Sequence, residues 1–151
     1  MYGWINKTKM EGNTAKVGEK ELRFHTEQFF SQFINTHNAE YSQWSEQWYF
    51  YGELPNKDKA GGCYALFEHE TLMYIGIGIG KNSGLASKVS KYWKMVDGIP
   101  QQHYKPSNQF PSMTSIMTIG FEHHVFLAAA LQIYLIEQLS PRENTHYKPK
   151  K

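Results

Sequence analysis

The 151-residue sequence predicts an α+β fold: a three-stranded, mainly antiparallel sheet flanked by helices. Three observations carry this. Two short apolar runs, 63–67 and 71–77, are separated only by Glu68-His69-Glu70, which is the pattern of a hairpin. Helical periodicity occurs before and after that hairpin. The order helix, hairpin, helix, strand, helix has no regular βαβ alternation, which argues against a doubly wound sheet.

Each element has its own signal. Residues 1–17 are polar, include Gly12 and Asn13, show no period and read as a loose arm. Over 18–37, Leu22, Phe29, Phe30, Phe33 and Ile34 recur at helical spacing and predict an amphipathic helix. The segment 44–51 is aromatic-rich and fits a strand or irregular packing, with Trp44, Trp48 and Tyr51 expected in the core rather than as a base-stacking platform. Pro55, Asn56, Asp58 and two glycines mark a turn region over 54–62. Gly76, Gly78, Gly80 and Gly84 end the second hairpin strand. A helix over 84–96 carries Leu85, Val89, Tyr92, Trp93 and Val96 on one stripe and Lys88, Lys91 and Lys94 on another. Three prolines make 98–111 a long loop, 115–121 predicts a third strand, and 123–139 predicts a broadly apolar helix stopped by Pro141. The chain divides into an N-terminal arm and helical/aromatic extension, 1–53, packed on a core, 54–151, as one compact domain.

Composition narrows the function classes. No apolar run reaches the ~20 residues of a membrane-spanning helix, so no membrane partner is expected. The first ten residues lack the apolar region of a signal peptide, and a single cysteine, Cys63, gives neither a disulfide nor metal-ligand spacing. A cytoplasmic location is the expectation. The formal net charge is only +2, but residues 81–105 hold five lysines against one acid, Asp97. That local excess suits a phosphate-rich partner. It equally suits a solvated helix face. The run Gly76-Ile77-Gly78-Ile79-Gly80-Lys81 misses the P-loop spacing and both registers of the dinucleotide fingerprint. It reads as a connection that lies against a substrate backbone. His103, His123 and His124 have no Cys or His partners at zinc spacing.

The chemistry-bearing pattern begins with two tyrosine words ten residues apart, Gly62-Cys63-Tyr64 and Tyr74-Ile75-Gly76. Alone, Tyr64 and Tyr74 are ordinary packed strand residues. Further residues stand in register with them: Pro55 ahead, Leu85, Lys88 and Tyr92 on the following helix, then Gln132, Pro141 and Asn144. Over residues 54–144 this order resembles the GIY-YIG nuclease superfamily, with Cys63 where an aliphatic residue is usual. The resemblance implies phosphodiester hydrolysis of double-stranded DNA, with RNA as a further possible partner, in a phage, restriction or mobile-element setting. It implies one Mg²⁺ or Mn²⁺ held at the Gln132 position, Tyr64 acting as or assisting a general base, Tyr74 lining the phosphate, Lys88 at the charge-stabilising position and Asn144 beside them. Lys81, Lys91, Tyr92 and Lys94 are the accompanying candidate nucleic-acid contacts.

Two positions depart from the family pattern. Lys88 replaces an arginine, which keeps the charge but loses the planar fork for bidentate phosphate contact. Gln132 replaces the metal-binding glutamate, and a neutral amide is a poor ligand for a hard cation. Glu137 does not substitute, because five residues on a helix rotate it by roughly 140°. The expected consequence is an endonuclease that is weakened or inactive. The alternatives are a module that binds DNA or RNA without cutting it, and a defence-related protein-interaction factor reusing the cleft. The N-terminal third is the candidate surface for a homodimer or protein partner.

Overall fold

A computed structural model describes residues 16–34, 42–80, 84–92, 95–96, 99–100 and 110–149. Its elements in chain order are α1 (Glu19–Phe33), β1 (Gly61–Glu68), β2 (Thr71–Ile79), α2 (Gly84–Val89) with a 3₁₀ turn (Ser90–Tyr92), β3 (Met95–Val96), β4 (Ile99–Pro100), β5 (Ser115–Phe121) and α3 (Phe126–Leu139). The main sheet has the order β2-β1-β5 and is antiparallel throughout; β3 and β4 form a separate two-stranded ribbon.

β1 is the central strand, and both its faces are covered. Cys63, Ala65 and Phe67 point into a core shared with Leu22, Phe29 and Phe30 of α1 and Leu127, Ala128, Leu131 and Leu135 of α3. Tyr64 and Leu66 point the other way, into a cluster with Leu85 and Val89 of α2, Tyr92, Phe110 and Ile116. This period-2 division explains why β1 reads as a continuous apolar run: a strand buried on both faces needs apolar residues at every position. In β2 the register shifts between Leu66 and Phe67 of its partner strand. Met73 and Tyr74 consequently lie on the α2 side, between Leu72 and Ile75 on the α3 side. A bulge re-aims side chains in this way.

Unpaired strand edges invite association with other chains, and here both are covered. The free edge of β5 meets the segment 42–48: Ser45 N donates to Thr118 O, and Trp48 exchanges backbone hydrogen bonds with Ile116. Arg23 on α1 holds that segment by donating to the carbonyls of Trp44 and Ser45 at 3.0 and 2.9 Å. Helix α1 and the segment 42–48 are therefore packed on the sheet. The free edge of β2 is met by Val17, whose carbonyl accepts from Leu72 N, and by the chain after α3.

Several sequence-based expectations need correction. The helix expected over 84–96 is α2 and one 3₁₀ turn followed by β3, and β4 lies inside the expected loop 98–111. Asp97-Gly98, a pair with strong turn preference, separates those two strands in sequence. The α1 helix ends at Phe33 because Ile34 is already extended; residues 35–37 lie outside the described residues. The α3 helix starts at Phe126, after His124 at φ +51°. It ends at Ser140 in the left-handed region, with Pro141 next. Trp44 and Trp48 are buried as expected, whereas Tyr51 is 92% exposed. No described helix is long and apolar enough to cross a membrane.

Candidate functional site

The two tyrosine words meet across the hairpin. Tyr64 pairs with Gly76, and Tyr74 with Leu66, so the two tyrosines lie diagonally on one face of the sheet with ring centroids 6.2 Å apart. The Tyr64 ring lies directly over Gly76, where a Cβ would overlap it. This is the physical reason for glycine at the end of the second word. Two residues on, the Lys88 stem crosses Gly78, where a Cβ would stand 3.1 Å from the lysine Cγ. The Lys88 residue is exposed.

Tyr92 completes the group. Its hydroxyl and that of Tyr64 share a hydrogen bond of 2.8 Å, and its ring centroid lies 5.7 Å from that of Tyr64. Phe110 packs on both Tyr74 and Tyr92, at 5.2 and 5.5 Å. Nothing in the sequence marked Phe110, which reaches the cluster from beyond a long intervening segment. Burial pushes the Tyr64 phenol well above its ordinary value, and the neighbouring Tyr92 adds to this. Burial likewise raises Tyr74, and it pushes Tyr92 up to about 12 although the Tyr64 hydrogen bond opposes it. All three are therefore neutral phenols near pH 7 and act there as hydrogen-bond partners. A phenolate base would need positive charge close by to lower these values.

Gln132 and Asn144 do not join the tyrosines on that face. They come to the free edge of β2. The Asn144 side chain both accepts from Ile75 N at 2.9 Å and donates to Ile75 O at 3.0 Å. Gln132 Nε2 donates to the same carbonyl at 3.3 Å. Glu143 N donates to Met73 O one pleat away. Asn144 is buried, and the expected catalytic position is thus a backbone clamp, which the C-terminal turn supplies because Ser140 and Pro141 end α3 just before it. The two groups nonetheless meet adjacent residues of β2. The tyrosine ring covers Gly76 from the α2 side, and the amides hold Ile75 from the edge.

The donor set at that edge does not fit a resident divalent cation. Hard cations prefer anionic oxygens, whereas Gln132 and Asn144 are neutral amides with their nitrogens committed to Ile75 O. Glu137 is exposed on another part of α3. Among the described residues no group of three His, Cys, Asp or Glu is gathered as a metal site. Cys63 is buried with its thiol donating to Ala128 O at 3.1 Å, and burial pushes its pKa up, so it is a packing residue. Of the candidate nucleic-acid contacts, Tyr92 is internal to the tyrosine group; Lys81, Lys94 and the Lys91 side chain lie outside the described residues. A cavity of about 600 Å³ lined by Arg23, Thr26, Phe30, Ser42 and Trp44 lies on the α1 side, away from the tyrosines. No family model matches the chain, and comparisons with curated proteins and with solved structures give no match.

Proposed function

We propose that this chain is a GIY-YIG-type endonuclease domain whose tyrosine face engages a nucleic-acid phosphodiester and which, with Gln132 in place of a carboxylate, cuts weakly or not at all. The observation that carries the reading is the grouping of Tyr64, Tyr74 and Tyr92 on one sheet face, with Lys88 crossing Gly78 beside them. In this reading Tyr74, the half-buried member of the group, donates a hydrogen bond to a phosphate oxygen, the buried and mutually bonded Tyr64 and Tyr92 position it, and Lys88 contributes a point charge. No hydrolytic step is assigned to a metal, because the residues present do not fit one. Mg²⁺ or Mn²⁺ belongs to the proposal only for a chain with a carboxylate restored at position 132.

The test has two parts. Affinity for a DNA duplex should fall steeply with salt, since phosphate contacts release counterions. Plasmid nicking in Mg²⁺ or Mn²⁺ should be slow for the chain as it stands and faster for Gln132→Glu. Binding without nicking by either version would favour the non-cleaving binding module. Absence of DNA and RNA binding would sink both and leave a protein-interaction role, for which the exposed Phe24 and Phe33 of α1 offer a surface.

A further inference from the structure

The aromatic loop that leaves the β5 edge packs on the core through Trp48 and Phe50 and leaves Tyr49 and Tyr51 outside it. Trp48 is fixed by its backbone exchange with Ile116 on β5 and is buried. Three residues on, its indole Nε1 donates to Tyr51 O at 2.9 Å. Phe50 stands between them at φ +68°, and Gly52 follows at φ +75°. A phenylalanine in that region is uncommon and needs its surroundings to hold it. Here the Phe50 ring packs edge-on against Trp48 at 5.2 Å and lies against the same cluster that contains Tyr64, Tyr92 and Phe110. The result is a loop pinned at both its carbonyl and its central ring, from which Tyr51 projects with 92% of its surface exposed and Tyr49 with 64%. The pinned ring packs against the cluster that contains Tyr64 and Tyr92, and Tyr74 packs against the same cluster, so the loop and Tyr74 share one face of the sheet.

We infer that Tyr51, with Tyr49 beside it, is a stacking platform for an unpaired nucleobase of the strand whose phosphate lies on the tyrosine face. This rests on the proposed function. Aromatic rings stack on bases of any sequence, and a rigid loop loses little entropy when it does so. Charge separates this role from phosphate binding. Glu46 and Glu53 are exposed on either side of the loop, while Lys57 is bonded to Asp58 and Lys59 to Glu122. The loop is therefore a poor counter-ion for phosphate and presents mainly ring faces. A stacked base must be free of its neighbour, so the inferred ligand is single-stranded nucleic acid, or a duplex opened or frayed at that position.

Fluorescence anisotropy with a labelled single-stranded oligonucleotide, its RNA counterpart and the matching duplex tests this. Tyr51→Ala should weaken single-strand binding by about 5- to 100-fold. It should leave the salt slope and the thermal midpoint unchanged, because no charge and no core contact is removed. Tyr51→Trp should retain or improve the affinity, and Tyr147→Ala, another exposed tyrosine in the C-terminal segment, should have no effect. If the unaltered chain binds single strands and Tyr51→Ala binds them equally well, the platform is overturned and the loop is left for a protein surface. If the unaltered chain binds no nucleic acid, the proposed function falls and the platform with it.

Discussion

The two sides of β2 differ in what they do with the adjacent residues Ile75 and Gly76. On the α2 side, Gly76 lies under the Tyr64 ring, and polar hydroxyls gather in a mostly apolar pocket. At the free edge, Ile75 is held by three side-chain hydrogen bonds from two neutral amides. The first side pairs two buried phenols with each other and leaves half-buried Tyr74 and exposed Lys88 at its surface; the second spends its polar groups on the backbone. A buried carbonyl or N–H must find a partner, and the edge of a three-stranded sheet has no fourth strand to provide it. Residues that a family pattern would read as catalytic are here the partners that close the edge.

The largest expected effect lies at the edge. Asn144→Ala removes an acceptor for Ile75 N and a donor to Ile75 O in a buried position, and should cost ~2–4 kcal/mol of stability by denaturant unfolding. A loss below about 1 kcal/mol would mean that the clamp is ornamental. Next comes the tyrosine side. Gly76→Ala should cost ~1–3 kcal/mol, because the added methyl displaces a buried ring. It should also weaken DNA binding more than Asn144→Ala does at matched fraction folded, and the reverse order would erase the distinction between the two sides.

Tyr64→Phe is smaller. It removes the Tyr64 hydroxyl from its hydrogen bond with Tyr92 and should cost about 1–2 kcal/mol. The phenols also set an alkaline limit. Their folded values are raised, so their contribution to stability is fully present below the unfolded value near pH ~10 and is lost as pH rises through the folded values. A spectrophotometric titration should show ordinary tyrosines ionising first and a late phase that merges with unfolding. Ionisation of every tyrosine near the ordinary value in the folded protein would contradict the burial of Tyr64 and Tyr92.

Much of this was legible in the sequence, for identifiable reasons. The hairpin, β5 and α3 have strong apolar patterns and firm stop signals, so their existence and pairing direction followed. The meeting of Tyr64 and Tyr74 followed from hairpin geometry alone. Tyr92 was placed on a helix stripe, but its hydrogen bond to Tyr64 depends on how α2 packs, which periodicity does not encode. Asn144 was singled out only by the resemblance to a family pattern, yet its role depends on which β2 groups lack a partner, a fact of sheet order. Tyr51 was expected in the core because aromatic residues often are. Its exposure follows from a backbone reversal at Phe50 that no local signal announces.

Plasmid nicking by Gln132→Glu in Mg²⁺, measured beside the unaltered chain, tests most directly the proposal that the edge lacks only a carboxylate at position 132 to support cleavage. The variant should nick ~10²-fold faster or more. Without metal it should also be less stable than the unaltered chain near neutral pH, since a carboxylate would face Ile75 O, and Mg²⁺ should restore its thermal midpoint. A variant that nicks no faster, with a midpoint indifferent to Mg²⁺, would contradict the account.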